Sequence, residues 1–549
     1  MELLLTAKGM RSVESDLQSW ENPDYSFRWR GFLYLLGIPP GAASVREFSR
    51  LVASKGIDRA LKALRGHFFM VVKEKQTHKY NCFTDNNGGF TAFHSKSAVS
   101  TSFLELVSYQ GVTPSSLDRD SVLEFVNFGN VFSNKTLIEG ISRIDRNQII
   151  RFGPNGKSVH SKNLAPIDAG KGDFDYLQFF EKFAQSIKEY RLSVDLTGGV
   201  DSRLIAVLLD YFGVPFETTV SGMDGMEDVE IAKEVAAAMG TSLYVTRPSI
   251  DGLEESIPEV FRVSDGLNDV FKHYRSFQHN QNRVKRGVEL ALSGIGGEFL
   301  KDELWLQDFP FYTSKTSRLD RMFTMFMLPI PCKNDYFTGE YADSNQKLQN
   351  GTIHNLARYE MDTNTKTYDN IYYYYELPTI GGGFITAANR VLPSYAPMME
   401  LDFVQFGFNL KRRERFFNTF HRKTISKVNP LISRIRTSEG GISVSADKWE
   451  VGKDIQKYVW DKGTRLMKVI ERRLFHGSYT RQPADHPELT NRIRESRLAK
   501  DAIELLKEEK ILQGNVQLQD IHDAHLSHFL SFFLFMEFLH SNKGQCHGT

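Results

Sequence analysis

An apolar strand that leads into a glycine-rich turn and then an apolar helix constrains this chain most. Residues 191–215 read RLSVDLTGGVDSRLIAVLLDYFGVP. This pattern predicts a strand at 192–196 and a helix that begins at Ser202 and ends near Gly213. The unpaired N–H groups and partial positive charge of a helix N-terminus bind phosphate. The two glycines of the turn allow close approach of an anion, and the side chains of Thr197 and Ser202 add hydroxyl donors.

Asp201 lies in the same turn and by itself would repel phosphate. Its presence makes chemical sense if it holds Mg²⁺ that bridges to the phosphate, so the turn predicts a phosphate–magnesium site. The turn is not a Walker A loop, since NGKS at 155–158 has Arg151 where that motif needs its first glycine. The simpler alternative is a sharp strand–helix turn capped by a serine.

Strands and helices alternate after this turn. Apolar strands are predicted at 216–220, 242–246 and 288–292, with a helix at 227–239. Such alternation predicts an α/β domain built on a doubly wound parallel sheet, which binds ligands at the carboxyl ends of its strands. A second glycine-rich turn, SGIGGE at 293–298, follows the last of these strands. Beyond about residue 300 the chain is predicted to be largely helical.

The first 165 residues read as short strands and turns. HFFMVVKEK (67–75) and KYNCFTD (79–85) are predicted to be neighbouring strands, and DNNGGF (85–90) is a turn signal. The stretch APIDAGKGD (165–173) is the best linker candidate. We therefore predict one domain at 1–165 and another at 166–549.

Composition limits the partners and the compartment. Lys and Arg total 68 against 67 Asp and Glu, so no global field attracts nucleic acid. The most apolar segment, 529–539, is too short for a membrane span and predicts a buried C-terminal helix. Cys82, Cys332 and Cys546 form no C-x-x-C pair, which excludes a Cys-rich zinc site and suits a reducing compartment. The N-terminus has no signal-peptide pattern, so we expect a cytoplasmic protein.

Several segments resemble one known family. TGGVDS (197–202) resembles the S-G-G-x-D-S pyrophosphate-binding motif of the N-type ATP pyrophosphatases. SGIGGE (293–298) resembles the second loop of the asparagine synthetase family within that group. EDVEIAKEVAAAMG (227–240) is similar to the helix between the two loops, with Asp228 at its acidic position. The resemblance covers about residues 175–440.

This resemblance implies ATP and Mg²⁺ as cofactors and a carboxylate-activating reaction. A small-molecule or peptide carboxylate would attack the α-phosphorus of ATP and release pyrophosphate, and ammonia or an amine would then displace AMP to give an amide. By family match, Asp201 and Glu298 would bind Mg²⁺. The implied ATP and pyrophosphate site comprises Leu196, Thr197, Gly198, Gly199, Asp201, Ser202, Val220 and Gly294.

Two further segments suggest catalytic residues in addition to Asp201. RKTISKVNPLIS (422–433) resembles the family segment that carries a charge-neutralising lysine, which makes Lys423 the candidate. The alternative for Lys423 is a solvated surface lysine. The stretch 389–410 is similar to the family's E-x-R-x-P-F-L-D segment, with Arg390 at the arginine.

The N-terminal third resembles a class II glutamine amidotransferase domain, which implies an Ntn-type αββα sandwich. That fold uses a cysteine exposed at the N-terminus after Met removal, but position 2 is Glu2 and the first cysteine is Cys82. WRGFLYLLG (29–37) also lacks the two asparagines and the glutamate expected there. A carboxylate cannot replace the thiolate nucleophile, so we expect an inactive domain that is structural or docks a partner.

The second loop also departs from the family at Ile295, where asparagine synthetase has Glu and the β-lactam synthetases have Tyr. Ile cannot contact a polar substrate or help deprotonate the nucleophile, which argues against ordinary asparagine synthesis. The first hypothesis is an amide ligase that amidates a sugar acid in surface polysaccharide assembly, without its own glutaminase activity. The alternatives are a β-lactam or lasso-peptide cyclase and a non-enzymatic scaffold. The sequence is compatible with a homo-oligomer or with a partner that supplies ammonia. Sulfur or nitrogen transfer to tRNA, a third alternative, would need a basic surface that the sequence does not show.

Overall fold

The computed structural model describes residues 3–6, 9–12, 17–153, 156–170, 172–302, 306, 308, 311–328, 330–438, 440–475 and 487–542. Glu2 and Cys546 lie outside the described residues.

Two antiparallel sheets form the N-terminal part. The first has the strand order β2-β1-β8-β7-β9 and the second the order β11-β10-β6-β5-β4-β3. The strands are β1 Leu3–Thr6, β2 Gly9–Ser12, β3 Gln18–Glu21, β4 Tyr25–Tyr34, β5 Arg65–Glu74, β6 Lys79–Thr84, β7 Phe93–His94, β8 Ala98–Ser100, β9 Ser142–Arg143, β10 Gln148–Gly153 and β11 Gly156–Ser161. The longer helices here are α1 Ala42–Lys55, α2 Phe103–Gln110 and α3 Arg119–Phe128.

The alternation of side chains along the strands stacks these elements into four layers. Leu3 and Leu5 of β1 pack against Val71 of the second sheet, which joins the two sheets face to face. Leu4 points the other way and packs with α2 and α3. The far face of the second sheet is covered by α1 through Phe48. This αββα sandwich confirms the fold predicted for the N-terminal part, and β5 pairs with β6 as predicted.

A parallel sheet forms the second part, with strand order β14-β13-β12-β15-β16. Its strands are β12 Leu192–Asp195, β13 Phe216–Ser221, β14 Leu243–Thr246, β15 Leu290–Leu292 and β16 Ser394–Tyr395. Its helices are α4 Tyr176–Ile187, α5 Asp201–Tyr211, α6 Glu227–Met239, α7 Leu253–Val263 and α8 Val270–Lys285. Since the chain order reverses between β12 and β15, the carboxyl ends of these two strands form the switch point where such sheets bind ligands.

The remainder is largely helical, as predicted. Its longer helices are α9 Gly339–Ala357, α10 Asn364–Ile371, α11 Ile380–Asn389, α12 Leu401–Phe408, α13 Thr419–Val428, α14 Lys448–Phe475, α15 Pro487–Glu495, α16 Arg497–Glu508 and α17 Asp523–Asn542. The last helix is buried, with Phe529 and Phe532 fully shielded from solvent, which confirms the prediction for 529–539. Among the described helices none is both long and apolar enough to cross a membrane.

The two parts share buried polar contacts. The hydroxyl oxygens of Tyr34 and Tyr395 lie 2.9 Å apart, and Tyr395 donates to Glu400 Oε1 at 2.8 Å. Arg65 of β5 forms ion pairs with Glu400 and Asp402. Because Tyr34, Tyr395 and Glu400 are buried, separating the two parts would expose polar groups that are satisfied across the junction.

Candidate active site

The first glycine-rich turn connects β12 to α5, as predicted, and its own polar groups fix its shape. Thr197 N donates to Ser202 Oγ at 3.1 Å, and Gly199 N donates to Thr197 Oγ1 at 3.2 Å. The first turn of α5 has no side-chain cap, since Val200 occupies the capping position. The N–H groups at the start of the helix are therefore available to an anion.

Gly198 is enclosed by neighbouring segments, which explains why this position carries no side chain. Its N–H donates to Asp228 Oδ1 at 3.1 Å, so the acidic position of the α6 motif supports the loop backbone. A Cβ at Gly198 would lie 2.6 Å from Ser438 Oγ and 2.7 Å from Asp228 Oδ1. Arg203, fully buried, donates to the carbonyl oxygens of Ile435 and Arg436 at 2.8 Å and holds that segment beside the turn.

The second glycine-rich turn packs directly against the first. A Cβ at Gly294 would lie 2.8 Å from Ser202 N, and one at Gly297 would lie 2.3 Å from Asp201 Oδ1. The structure therefore brings together the two loops that sequence analysis singled out separately. Only glycine allows this approach at either position.

Asp201 is the charged centre of this contact. Its Oδ2 lies 2.8 Å from Lys301 Nζ, and its Oδ1 lies 2.9 Å from His421 Nε2. Lys301 and His421 are both buried. Burial alone would raise the pKa of Asp201, but the Lys301 cation and His421 outweigh it and hold that pKa well below its usual range. Asp201 is thus an ionised carboxylate at the start of α5.

The donor set around Asp201 fits Mg²⁺ in the way that nucleotide-dependent enzymes hold it. Oδ1 of Asp201 is itself buried, and it lies 2.9 Å from His421 Nε2. Glu298 belongs to the adjacent loop, where its Oε2 accepts from Gly296 N at 2.8 Å. No group of three or more His, Cys, Asp or Glu side chains suited to a metal occurs among the described residues. Mg²⁺ commonly uses one or two carboxylates and completes its shell with phosphate oxygens and water.

A cleft of 720 Å³ opens at the carboxyl ends of β12 and β13. Thr197 and Val220 line one side of it, while helices α15 and α17 supply part of the other side. Leu196 is buried behind the loop. Asp195, at the end of β12, also lines the cleft; burial raises its pKa, but Arg283 and His279 bring it down to about 2. Other polar side chains that line the cleft are those of Asp269, Lys272, Arg275, Ser276, Thr490, His522, Asp523 and Ser527.

The structure places the side chain of Lys423, the predicted charge-neutralising lysine, at the surface. It is exposed on α13, whereas its neighbours His421 and Arg422 are buried. His421 meets Asp201, and Arg422 donates to the carbonyl oxygens of Ser443 and Ser445. The lysine beside Asp201 is Lys301, which sequence analysis missed because no motif marks it.

Arg390 contacts segments of both parts of the molecule. Its guanidinium donates to the carbonyl oxygens of Val263 and Thr101 at 2.9 and 2.8 Å, and it pairs with Asp265 at 2.8 Å. Thr101 belongs to the N-terminal part and Asp265 follows α7. Arg390 therefore joins segments of the two parts, and its catalytic role stays a prediction.

Cys82, the first cysteine in the sequence, cannot act as a surface nucleophile. Cys82 lies on β6 between the two sheets and is fully buried. Burial raises the pKa of its thiol far above the usual value. The turn after β6 has a structural role, since Asp85 accepts from the N–H groups of Asn87, Gly89 and Phe90.

Comparisons with known proteins agree with the loop geometry. The family model for asparagine synthase matches residues 184–380, which include both glycine-rich loops and Lys301. The chain therefore carries a domain of the asparagine synthase family. Residues 184–380 are its synthetase domain, and the segment with Arg390 and Lys423 lies beyond the matched range.

No curated protein matches the chain. One similar solved structure is glutamine phosphoribosylpyrophosphate amidotransferase from B. subtilis in complex with ADP and GMP, with 11% identity and a TM-score of 0.18. The match covers 46% of this chain and 54% of that one, so it spans about half the length of that protein. Nothing about function follows from that likeness.

Proposed function

We propose that this protein is an ATP-dependent, AMP-forming amide ligase that uses ammonia or an amine. The synthetase domain supports an ATP-dependent amidating ligase in general. The observation that carries the specific proposal is the contact between the two loops at Asp201, beside a cleft at the sheet's switch point. A chain that retained the fold only as a scaffold would have no need for an ionised carboxylate held between Lys301 and His421 there.

In this proposal the first loop and the start of α5 bind the pyrophosphate part of ATP. The N–H groups of the loop and the hydroxyl groups of Thr197 and Ser202 donate to phosphate oxygens, and the backbone at Leu196, Val220 and Gly294 borders the nucleotide. Mg²⁺ held by Asp201 and Glu298 would neutralise phosphate charge as the P–O bond to pyrophosphate breaks. Lys301, paired with Asp201, adds a fixed positive charge at the same place.

The reaction then needs only placement of two partners. A carboxylate oxygen attacks the α-phosphorus, pyrophosphate leaves, and an acyl-adenylate results. The nitrogen nucleophile attacks the acyl carbon, loses a proton, and AMP leaves with the oxygen that linked them. The cleft can hold both reactants side by side, which supplies much of the rate through proximity.

We propose a polyhydroxylated carboxylate, such as a sugar acid, as the substrate. Ser276, Thr490 and Ser527 place hydroxyl groups at the lining of the cleft, where Lys272 and Arg275 add positive charge beside the carboxylates of Asp269 and Asp523. The hydroxyl groups of a sugar acid can exchange hydrogen bonds with these serine and threonine hydroxyl groups, and its carboxylate is attracted by Lys272 and Arg275.

We further propose that the nitrogen does not come from glutamine hydrolysed in the N-terminal part. Cys82 is buried between the sheets, and position 2 carries Glu2 in place of a nucleophilic cysteine. Free ammonia, an amine on the substrate or a partner protein would supply the nitrogen. Ammonium chloride should therefore support product formation where glutamine does not.

The test is pyrophosphate and AMP release by the purified full chain with ATP, Mg²⁺ and pools of uronic acids, amino diacids and peptides. We expect carboxylate-dependent release of both products, absent in Asp201→Ala. With an ¹⁸O-labelled carboxylate, label should appear in AMP, because the carboxylate oxygen stays on phosphorus. Absence of ATP binding by calorimetry, together with absence of turnover in every pool, would show that the protein is not a ligase.

A further inference from the structure

Helix α14 presents large apolar side chains on its outer surface. Trp449 and Trp460 are 74% and 73% exposed, and Met467 is 68% exposed. The three residues are separated by about three and about two helical turns, so they form one stripe along the helix. Val459 and Ile455 are also exposed, on the adjoining side of the helix. An apolar surface of this kind marks an interaction site, since tryptophan is mostly buried in folded proteins.

The opposite side of α14 attaches the helix to the rest of the molecule. Tyr458 donates to the carbonyl oxygen of Leu306 at 2.8 Å, and its ring lies 5.7 Å from that of Phe417. Asp454 forms an ion pair with the buried Arg422. These contacts fix the helix so that the stripe of Trp449, Trp460 and Met467 points away from the protein.

Positive charge borders this stripe. Lys453 and Lys457 are exposed on α14, four and eight residues after Trp449, which places them beside the stripe. Within 448–475 basic residues outnumber acidic ones, and the acidic Asp454 is turned inward toward Arg422.

We propose that α14 is a membrane-surface helix that docks the protein on an anionic lipid bilayer. Tryptophan prefers the headgroup region of a bilayer, where its ring is apolar and its N–H stays hydrated. A helix with aromatic and aliphatic side chains on one face and lysines beside them lies in the plane of that interface. The lysines that border the stripe would meet acidic headgroups, which favours a bilayer over an uncharged apolar partner. This surface is separate from the ligase site and does not depend on the proposed reaction.

The test is flotation of the purified full chain with vesicles of phosphatidylcholine alone and of phosphatidylcholine mixed with phosphatidylglycerol. We expect binding to the mixed vesicles only, with a blue shift of tryptophan fluorescence. Replacing both Trp449→Ser and Trp460→Ser should weaken binding at least about tenfold. Lys453→Gln combined with Lys457→Gln should weaken it about fivefold for each lysine removed.

A matched control is Tyr211→Ser, because Tyr211 is 58% exposed on α5, away from this stripe. It should leave vesicle binding unchanged, and all variants should keep the wild-type thermal unfolding temperature. Binding that persists in the double tryptophan variant, or absence of binding to either vesicle, would overturn the proposal. So would a dimer in solution that the double tryptophan variant converts to a monomer, since a second copy would then be the occupant of the stripe.

Discussion

Lys301 sets the charge balance around Asp201. The resemblance to the family pointed to Lys423, but the buried cation beside the first loop is Lys301, 2.8 Å from Oδ2 of Asp201. A fixed positive charge at a dry site stabilises developing negative charge far more than a solvated lysine does. The two lysines can therefore be distinguished by the same substitution.

Lys301→Met should lower kcat for carboxylate-dependent pyrophosphate release by about 100-fold. Lys423→Met, the matched control, should change it less than about twofold, because its side chain is exposed on α13. Pyrophosphate release in single-turnover experiments measures both. The reverse order of effects would restore Lys423 as the charge-neutralising lysine.

The carboxyl group of Glu124 makes the free energy of unfolding depend on pH. It is buried in α3 and accepts from Phe132 N at 3.1 Å; burial raises the pKa of its carboxyl to about 7, although that N–H lowers it. The folded state thus binds the proton more tightly than the unfolded state, whose carboxyl titrates near its ordinary value. The contribution of Glu124 to stability is present at low pH and is lost as pH rises from about 4.5 to 7.

Glu124→Gln should remove this dependence. Relative to the wild type, the variant's free energy of unfolding should gain up to about 3 kcal/mol between pH 4.5 and pH 8. Urea denaturation at a series of pH values measures the difference. A wild type and variant with parallel pH profiles would show that Glu124 stays ionised when folded.

At the scale of elements, the strand–turn–helix units were the most predictable part. These units are predictable because their signals lie in neighbouring residues: an apolar period of two for strands, a period of 3.6 for helices, and glycine at the helix end. Helix α6, for example, has the predicted bounds at 227–239. Local patterns also predicted the Asp201 loop. They could not show that His421 and Lys301 meet Asp201, because that pairing depends on how distant helices pack on the sheet.

The contact between the two glycine-rich loops supplies an element-scale prediction. Gly297→Ala would place a methyl group 2.3 Å from Asp201 Oδ1, so one loop must move. We expect a loss of about 1–3 kcal/mol in the free energy of unfolding and weaker ATP binding. Denaturant unfolding and calorimetry measure the two effects.

Gly351→Ala is the control for that variant, since a Cβ at this position of α9 meets nothing within 4 Å. It should stabilise the protein by about 0.5–1 kcal/mol and leave ATP binding unchanged. If Gly297→Ala bound ATP as the wild type does, the close approach of the loops would not matter for the nucleotide.

At the scale of the whole molecule, the C-terminal helix belongs to the core of the N-terminal part. One apolar cluster joins Val122 of α3 and Phe103 of α2 with Tyr274 of α8 and Phe529 of α17. Sequence analysis divided the chain at residue 165, since composition changes there. The packing partners of α3 come from the far end of the chain, as the shared cluster shows. A change in composition along the sequence is therefore a weak guide to which segments unfold together.

We therefore expect the N-terminal part and α17 to unfold together. Phe529→Ala removes a fully buried ring and should cost about 3–5 kcal/mol, and hydrogen exchange should speed up in Arg119–Phe128 as well as in α17. Exposed Tyr211→Ala should leave both segments protected. Faster exchange confined to α17 would mean that the helix opens by itself, and the two parts would then be independent folding units with a boundary near residue 165.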